Sequence, residues 1–255
     1  MKYIYGPVAS WRLGSSLGLD VICSPKKICS FNCIYCQLEK TERITDKRQE
    51  FVKTELIVEE AKKALKESKP DVLTFSGSGE PTLATNIGKI YEEIKKTTSL
   101  PFAILTNSTL FYDKEVQNDL KKLDIIVAKL DASNQKTFEK INRPAPSINF
   151  EKTLAGIKEM KKKFSGKFCI QTMFIEENKD EAEEIANICR EINPDEIQIN
   201  TPLRPCKVKP LAVEELDRIE EKFEGLPTIS VYHSKKPVTD PLDKIQILKR
   251  RGVEK

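Results

Sequence analysis

The chain has 255 residues, 39% hydrophobic and 32% charged, with a formal net charge of +4. That length holds a sizeable core, as one α/β barrel or two small domains, and the composition excludes a disordered chain, while +4 is too small to announce a nucleic-acid partner by itself. No apolar run reaches the roughly 18 residues of a membrane span, and the opening residues lack the apolar core of a signal peptide, so a cytoplasmic location with no membrane partner is expected.

The first predicted strand covers residues 17–23, and a cysteine-rich loop follows it. A helix starts near Thr54, read as its N-cap, with Ile57, Ala61, Ala64 and Leu65 on one buried face. Strand 72–76 runs into the glycine-rich residues 77–81 and then a helix over 86–95. Strand 102–106 ends at Asn107 and Ser108, before a helix over 113–121. Strand 125–130 ends at Asp131; a short helix, the turn at Asn142, Arg143 and Pro144, and a longer helix over 150–164 follow. Strand 168–174 precedes a helix over 180–192, and strand 196–200 precedes one over 212–223. Residues 229–232 read as an added strand, and the stretch after Pro237 as a basic extension. Runs such as Lys161, Lys162 and Lys163 read as solvated helix faces.

Six β-α pairs in succession argue for a parallel sheet with helices outside it, and right-handed crossovers curl such a sheet into a barrel or partial barrel. No linker divides the chain, so one domain is expected over 1–255, with a core at about 17–225 and an extension over 226–255. Glu80, Asn107, Asp131 and Asn200 all fall at the C-terminal ends of predicted strands, where the sites of such sheets gather.

Seven cysteines cannot all pair. Three of them, Cys29, Cys33 and Cys36, form C-x3-C-x2-C, while Cys23, Cys169, Cys189 and Cys206 are scattered. Three thiolates from one tight loop suit three irons of a cubane and leave the fourth open to a small molecule. A structural zinc site wants four closed ligands, and the one histidine, His233, is about two hundred residues away. Cys23, Cys169 and Cys206 could share a second site only if the fold brought them together.

C-x3-C-x2-C with an aromatic, Tyr35, before its last cysteine resembles the radical S-adenosylmethionine superfamily. The resemblance implies a partial (βα)6 barrel, a [4Fe–4S] cluster on Cys29, Cys33 and Cys36, and S-adenosylmethionine chelated to the open iron. It implies one-electron cleavage to methionine and a 5′-deoxyadenosyl radical, which abstracts hydrogen from a substrate, with a donor such as ferredoxin or flavodoxin supplying the electron. Ser78, Gly79 and Glu80 resemble the family's Gly-Gly-Glu motif, which contacts the cosubstrate's amino group; Ser78 departs from the first glycine. Tyr35, Thr106, Asn107, Lys129, Asp131, Gln171 and Asn200 are the further cofactor-binding candidates. A Lys129–Asp131 ion pair, and amides that only satisfy buried partners, are the structural alternatives.

The segment 6–18, the stretch 141–144 and the stretch 200–205 resemble a short group found alongside the wyosine tRNA-modifying synthetases, with Ala9 and Trp11 departing from its pattern. Those synthetases carry an additional N-terminal cysteine trio, and this chain has no cysteine before Cys23. Arg12, Arg143 and Arg204 are substrate-binding candidates for an anionic or planar group. The expected activity is hydrogen abstraction, in an oxidoreductase or transferase, from an unidentified substrate. A tRNA base is the first candidate, and a peptide or small molecule the alternative. A non-catalytic iron–sulfur protein is the competing class, and Glu80 separates the two, because a carrier needs no receiver for an amine.

Overall fold

The computed structural model describes residues 1–251; positions 252–255, the end of the expected extension, lie outside the described residues. In chain order the elements are β1 (Ile4–Ser10), β2 (Gly14–Leu19), the short β3 (Ile28–Cys29) and β4 (Arg43–Ile44), α1 (Thr54–Glu67), β5 (Val72–Phe75), α2 (Ile87–Lys95), β6 (Phe102–Thr106), α3 (Lys114–Leu120) and β7 (Ile125–Lys129). There follow α4 (Gln135–Asn142), α5 (Phe150–Lys163), β8 (Lys167–Met173), α6 (Ala182–Ile192), β9 (Glu196–Asn200), α7 (Val213–Glu221), β10 (Thr228–Ser230) and α8 (Lys244–Arg251).

Eight strands make one sheet in the order β1-β2-β5-β6-β7-β8-β9-β10. Only β1 runs antiparallel; every other neighbouring pair is parallel. β3 and β4 pair with each other apart from this sheet; within it, each strand neighbours the next in sequence and the order never reverses. With right-handed crossovers the helices that connect parallel strands fall on one face, and the sheet curls into a partial barrel around the other. The strand runs are buried on both faces, as in Val72–Phe75 with all four residues buried, which is why they read as apolar without alternation. Between sheet and helices lie aromatic contacts such as Phe111 with Phe168 and Phe174 with Phe223. Asp113, Asn134 and Asn149 cap α3, α4 and α5, each accepting a backbone N–H of the first turn.

The expected sequence of six β-α pairs is present, with four differences. The first strand is Gly14–Leu19 rather than 17–23, because the buried Asp20 carboxylate turns the chain by accepting the Cys23 amide at 2.8 Å. Thr54 is the first helical residue, not the N-cap. Its hydroxyl accepts from Asn86 Nδ2 at 3.1 Å and so ties α1 to the start of α2. The strand β1 was not expected; it carries Gly6-Pro7, which the edge of the sheet tolerates. The basic extension folds back: α8 packs on β1, and the Leu242 amide bonds the Gly6 carbonyl at 2.8 Å.

Candidate functional site

The C-terminal ends of β5–β9 open onto a cavity of about 340 Å³. Cys29, Cys33 and Cys36 all line it. Their loop is clamped from both sides. On one side the Ile28 amide bonds the Ser78 carbonyl at 3.3 Å, and the Glu80 amide bonds the Ile28 carbonyl at 3.1 Å. On the other, the Asn32 amide reaches the Asn142 carbonyl at 2.9 Å and the Ile34 amide reaches that of Ile141 at 3.0 Å. This approach dictates glycine at 79: a Cβ there would come within 1.7 Å of the Ile28 carbonyl oxygen.

The thiols suit an iron–sulfur cluster. The Asn107 amide donates to Cys29 Sγ at 3.6 Å, the Asn142 amide to Cys33 Sγ at 3.5 Å, and the Phe31 N–H to Cys29 Sγ at 3.4 Å. Burial, above all, raises the Cys29 and Cys33 thiols, the latter to about 11, so ligation must displace their protons. Lys27 is buried beside them; burial opposes its charge, but the three thiols raise its pKa. Among the described residues, the one group of three or more His, Cys, Asp or Glu ligand atoms within 4.8 Å of one another is Asp217, Glu220 and His233. Three cysteines from one loop leave one iron of a cubane open, whereas a structural zinc wants four closed ligands. Cys23, Cys169 and Cys206 form no such group either: Cys23 bonds the Lys2 carbonyl, Cys169 sits by Glu196, and Cys206 bonds the Val208 carbonyl.

Glu80 is buried on the cavity wall. Its Oε1 accepts from the Thr82 amide at 3.1 Å, the Thr82 hydroxyl at 2.6 Å and the Thr106 hydroxyl at 2.6 Å. Its Oε2 accepts only the Asn107 amide, at 2.8 Å, and so keeps capacity for one more donor. Burial raises the Glu80 carboxyl, against the four hydrogen bonds that favour its charge. Tyr35, Gly79, Thr106, Asn107, Lys129, Gln171 and Asn200 share the same cavity, as do Arg12 and Arg204.

Three expected residues sit elsewhere. Ser78 turns away and donates to Asp20 Oδ2 at 2.5 Å. Asp131 lies behind the wall and is fully engaged: it accepts the Tyr35 hydroxyl, Asn142 Nδ2 at 2.8 Å and the Met173 amide at 2.8 Å, with Lys129 Nζ at 3.4 Å. The Lys129–Asp131 ion pair is thus present, while Lys129 also donates to Gln171 Oε1 at 2.9 Å. Arg143 is exposed, in a left-handed conformation at the end of α4, and lines a separate groove on the outer side of the cysteine loop. Asn107 braces the loop through Ser30 Oγ at 2.8 Å.

Sequence reasoning missed Lys27, Asp20, Asn142 and Arg250. Lys27 lies two positions before Cys29 and was findable by proximity. Asp20 would have joined the strand-end residues had β2 been ended at Leu19. Arg250 carries no local signal: its Nε donates to Asp20 Oδ2 at 2.7 Å across 230 positions.

A profile described as the Radical SAM superfamily matches residues 24–189. The UPF0026 protein of Synechocystis sp. is 42% identical over 215 residues, which cover 83% of this chain and 78% of that protein. A Brachyspira hyodysenteriae protein named GTPase Obg is 38% identical over 237 residues, which cover 90% of this chain; the chain spans only 35% of its length. Among solved structures, a radical SAM methyltransferase from Sphaerobacter thermophilus is similar in fold, with a TM-score of 0.58 at 14% identity over 85% of this chain and 66% of that chain.

Proposed function

This chain belongs to the radical SAM superfamily and is an enzyme that uses a [4Fe–4S] cluster and S-adenosylmethionine, and on that premise we propose the assignment of its residues and its substrate. The Cys29, Cys33 and Cys36 thiolates hold three irons. Glu80 Oε2, with one acceptor site open, receives the cosubstrate's amino group, and Gly79 lets the chain approach. Lys129 and the Thr106–Asn107 strand end face its carboxylate and ribose; Gln171 and Asn200 face ribose or adenine. Asp131 works one layer back, fixing Tyr35, Asn142 and Lys129 in position. Bound together, cluster and cosubstrate supply a 5′-deoxyadenosyl radical for hydrogen abstraction, and the chain contributes orientation and exclusion of water. A one-electron carrier such as ferredoxin or flavodoxin is the proposed donor. No helix among the described residues is long and apolar enough to cross a membrane, and a cytoplasmic setting is proposed.

The single observation that carries this reading is the cysteine trio and Glu80 on one cavity wall. A non-catalytic carrier gives no use to that buried carboxylate. A tRNA base as substrate rested on the resemblance to the wyosine-associated group and on three arginines, of which only Arg12 and Arg204 line the cavity. The outlying Arg143 favours the alternative of a small molecule. The test is anaerobic reconstitution with iron and sulfide, chemical reduction, and assay for 5′-deoxyadenosine. The wild type is expected to form it and Cys33→Ala to form none; equal yields from both would overturn the reading.

A further inference from the structure

The cysteine loop faces two ways. Cys29, Cys33 and Cys36 line the inner cavity, and Cys33 and Cys36 also line the groove on the loop's outer side. The loop is therefore a wall between the two spaces, and two of its three thiols border both. The outer groove has an apolar centre. Ile34 and Pro205 lie in it, and Ile34 packs with Cys206 on a small cluster of Tyr35, Ile141 and Ile175. Its rim is basic: Lys40, Arg143 and Lys207 stand against one carboxylate, Glu39, and all four are exposed.

No ion pair among the described residues involves any of these three cations. In a chain with 43 basic and 39 acidic residues, three cations to one carboxylate is a local excess. Backbone bonds hold two of them against the loop. The Asn32 amide donates to the Arg143 carbonyl at 3.1 Å. Thr41, next to Lys40, donates its amide to Asn32 Oδ1 at 2.9 Å and its hydroxyl to the Phe31 carbonyl at 2.7 Å. Electron transfer between proteins weakens steeply with distance, so a donor must come close to the cluster. A body seated in this groove would touch the loop at Cys33 and Cys36 themselves.

We propose that the groove is the entrance for the electron: an acidic one-electron carrier protein docks on Lys40, Arg143 and Lys207, over Ile34 and Pro205, and reduces the cluster across the loop. The proposal rests on the cluster assignment to Cys29, Cys33 and Cys36, and deepens it by giving the donor a surface. The carrier loses one electron and the cluster gains it; no bond forms or breaks between the two proteins. A carrier seated outside leaves the inner cavity to cosubstrate and substrate. A small apolar centre with a charged rim suits a transient redox encounter, which buries under roughly 1,200 Å² in all and is steered by opposite charge. A nucleic-acid backbone calls instead for a line of cations, and here Glu39 and the apolar centre interrupt it.

The test is anaerobic calorimetry on the full-length reconstituted protein, titrated separately with an oxidised flavodoxin and an oxidised ferredoxin, both acidic carriers. At least one is expected to bind in the micromolar range, and severalfold more weakly when ionic strength rises from about 0.01 M to about 0.15 M. The double variant Lys40→Glu, Lys207→Glu weakens binding tenfold or more, and Arg143→Gln severalfold. Lys66→Glu with Lys162→Glu, exposed on α1 and α5, makes the same change of net charge and leaves binding unchanged. Lys40→Ala with Lys207→Ala covers the case in which the charge reversal fails to fold, and is expected to weaken binding by an intermediate factor. In turnover the reversed variant forms 5′-deoxyadenosine at the wild-type rate with dithionite, which needs no docking surface, and tenfold or more slowly with the reduced carrier. No binding of either carrier below about 1 mM would overturn the proposal, as would binding indifferent to the double variant once folded. A tRNA transcript bound more tightly than either carrier, and lost in the double variant, would also overturn it by assigning the groove to nucleic acid. Failure of the radical reading is seen separately, as a wild type that makes no 5′-deoxyadenosine even with dithionite while the carrier still binds.

Discussion

Asp20 is fully buried and holds three parts of the chain with one carboxylate: the Cys23 amide, the Ser78 amide and hydroxyl, and the Arg250 guanidinium at 2.7 Å. A buried charge that loses its partner is left unsolvated, so Asp20→Asn should cost about 3–5 kcal/mol, read as a lower midpoint in urea denaturation. A loss under about 1 kcal/mol would mean that water reaches Arg250. Gly79 is limited by space rather than charge. Gly79→Ala must push the Ile28 carbonyl aside, and we expect a loss of more than about 2 kcal/mol. Iron and sulfide per chain should fall in parallel, whereas full cluster loading in that variant would show the clamp to be slack.

At the scale of the element, the strands β5–β9 were legible because burial on both faces leaves unbroken apolar runs. The cysteine loop was legible because its chemistry lies in local spacing. The hairpin was not: β2 opens with Gly14, Ser15 and Ser16, too polar to read as a strand, and β1 carries Gly6-Pro7. The engagement of Asp131 by Tyr35 and Asn142 was equally hidden, since tertiary packing alone brings α4 and the cysteine loop together. A further link joins α7 to the segment after β10: His233 Nε2 lies 2.7 Å from Asp217 Oδ1. The hydrogen bond to Asp217 raises the histidine pKa, so the pair stabilises the fold fully below the unfolded value of about 6.5 and is lost as pH rises through the higher folded value. Because the chain has one histidine, its proton NMR titration is unambiguous. The inflection should lie above that of a model peptide and fall in Asp217→Asn; an unchanged inflection would show that the carboxylate does not hold the ring.

For the whole molecule, the site draws on the cysteine loop and on strands from β5 to β9, so a bound cosubstrate ties together elements far apart in sequence. Anything that binds the folded chain alone stabilises it by mass action. With the cluster in place, S-adenosylmethionine at a hundred times its Kd should add about 2.7 kcal/mol, seen as a thermal midpoint that climbs with the logarithm of its concentration. Cys33→Ala should abolish that climb, and a climb that survives would place cosubstrate binding outside the cluster.

The uninterrupted strand order has a consequence for how the chain is made. Apart from β3 and β4, which pair with each other, the order of synthesis from β2 to β10 is also the order of pairing, so each strand of the main sheet leaving the ribosome meets its neighbour already at the growing edge. None has to be inserted between two formed strands, and on that side one edge at a time stands open to wrong partners. The other edge, β1, is made well before the segment that packs on it, the stretch around Leu242 and α8.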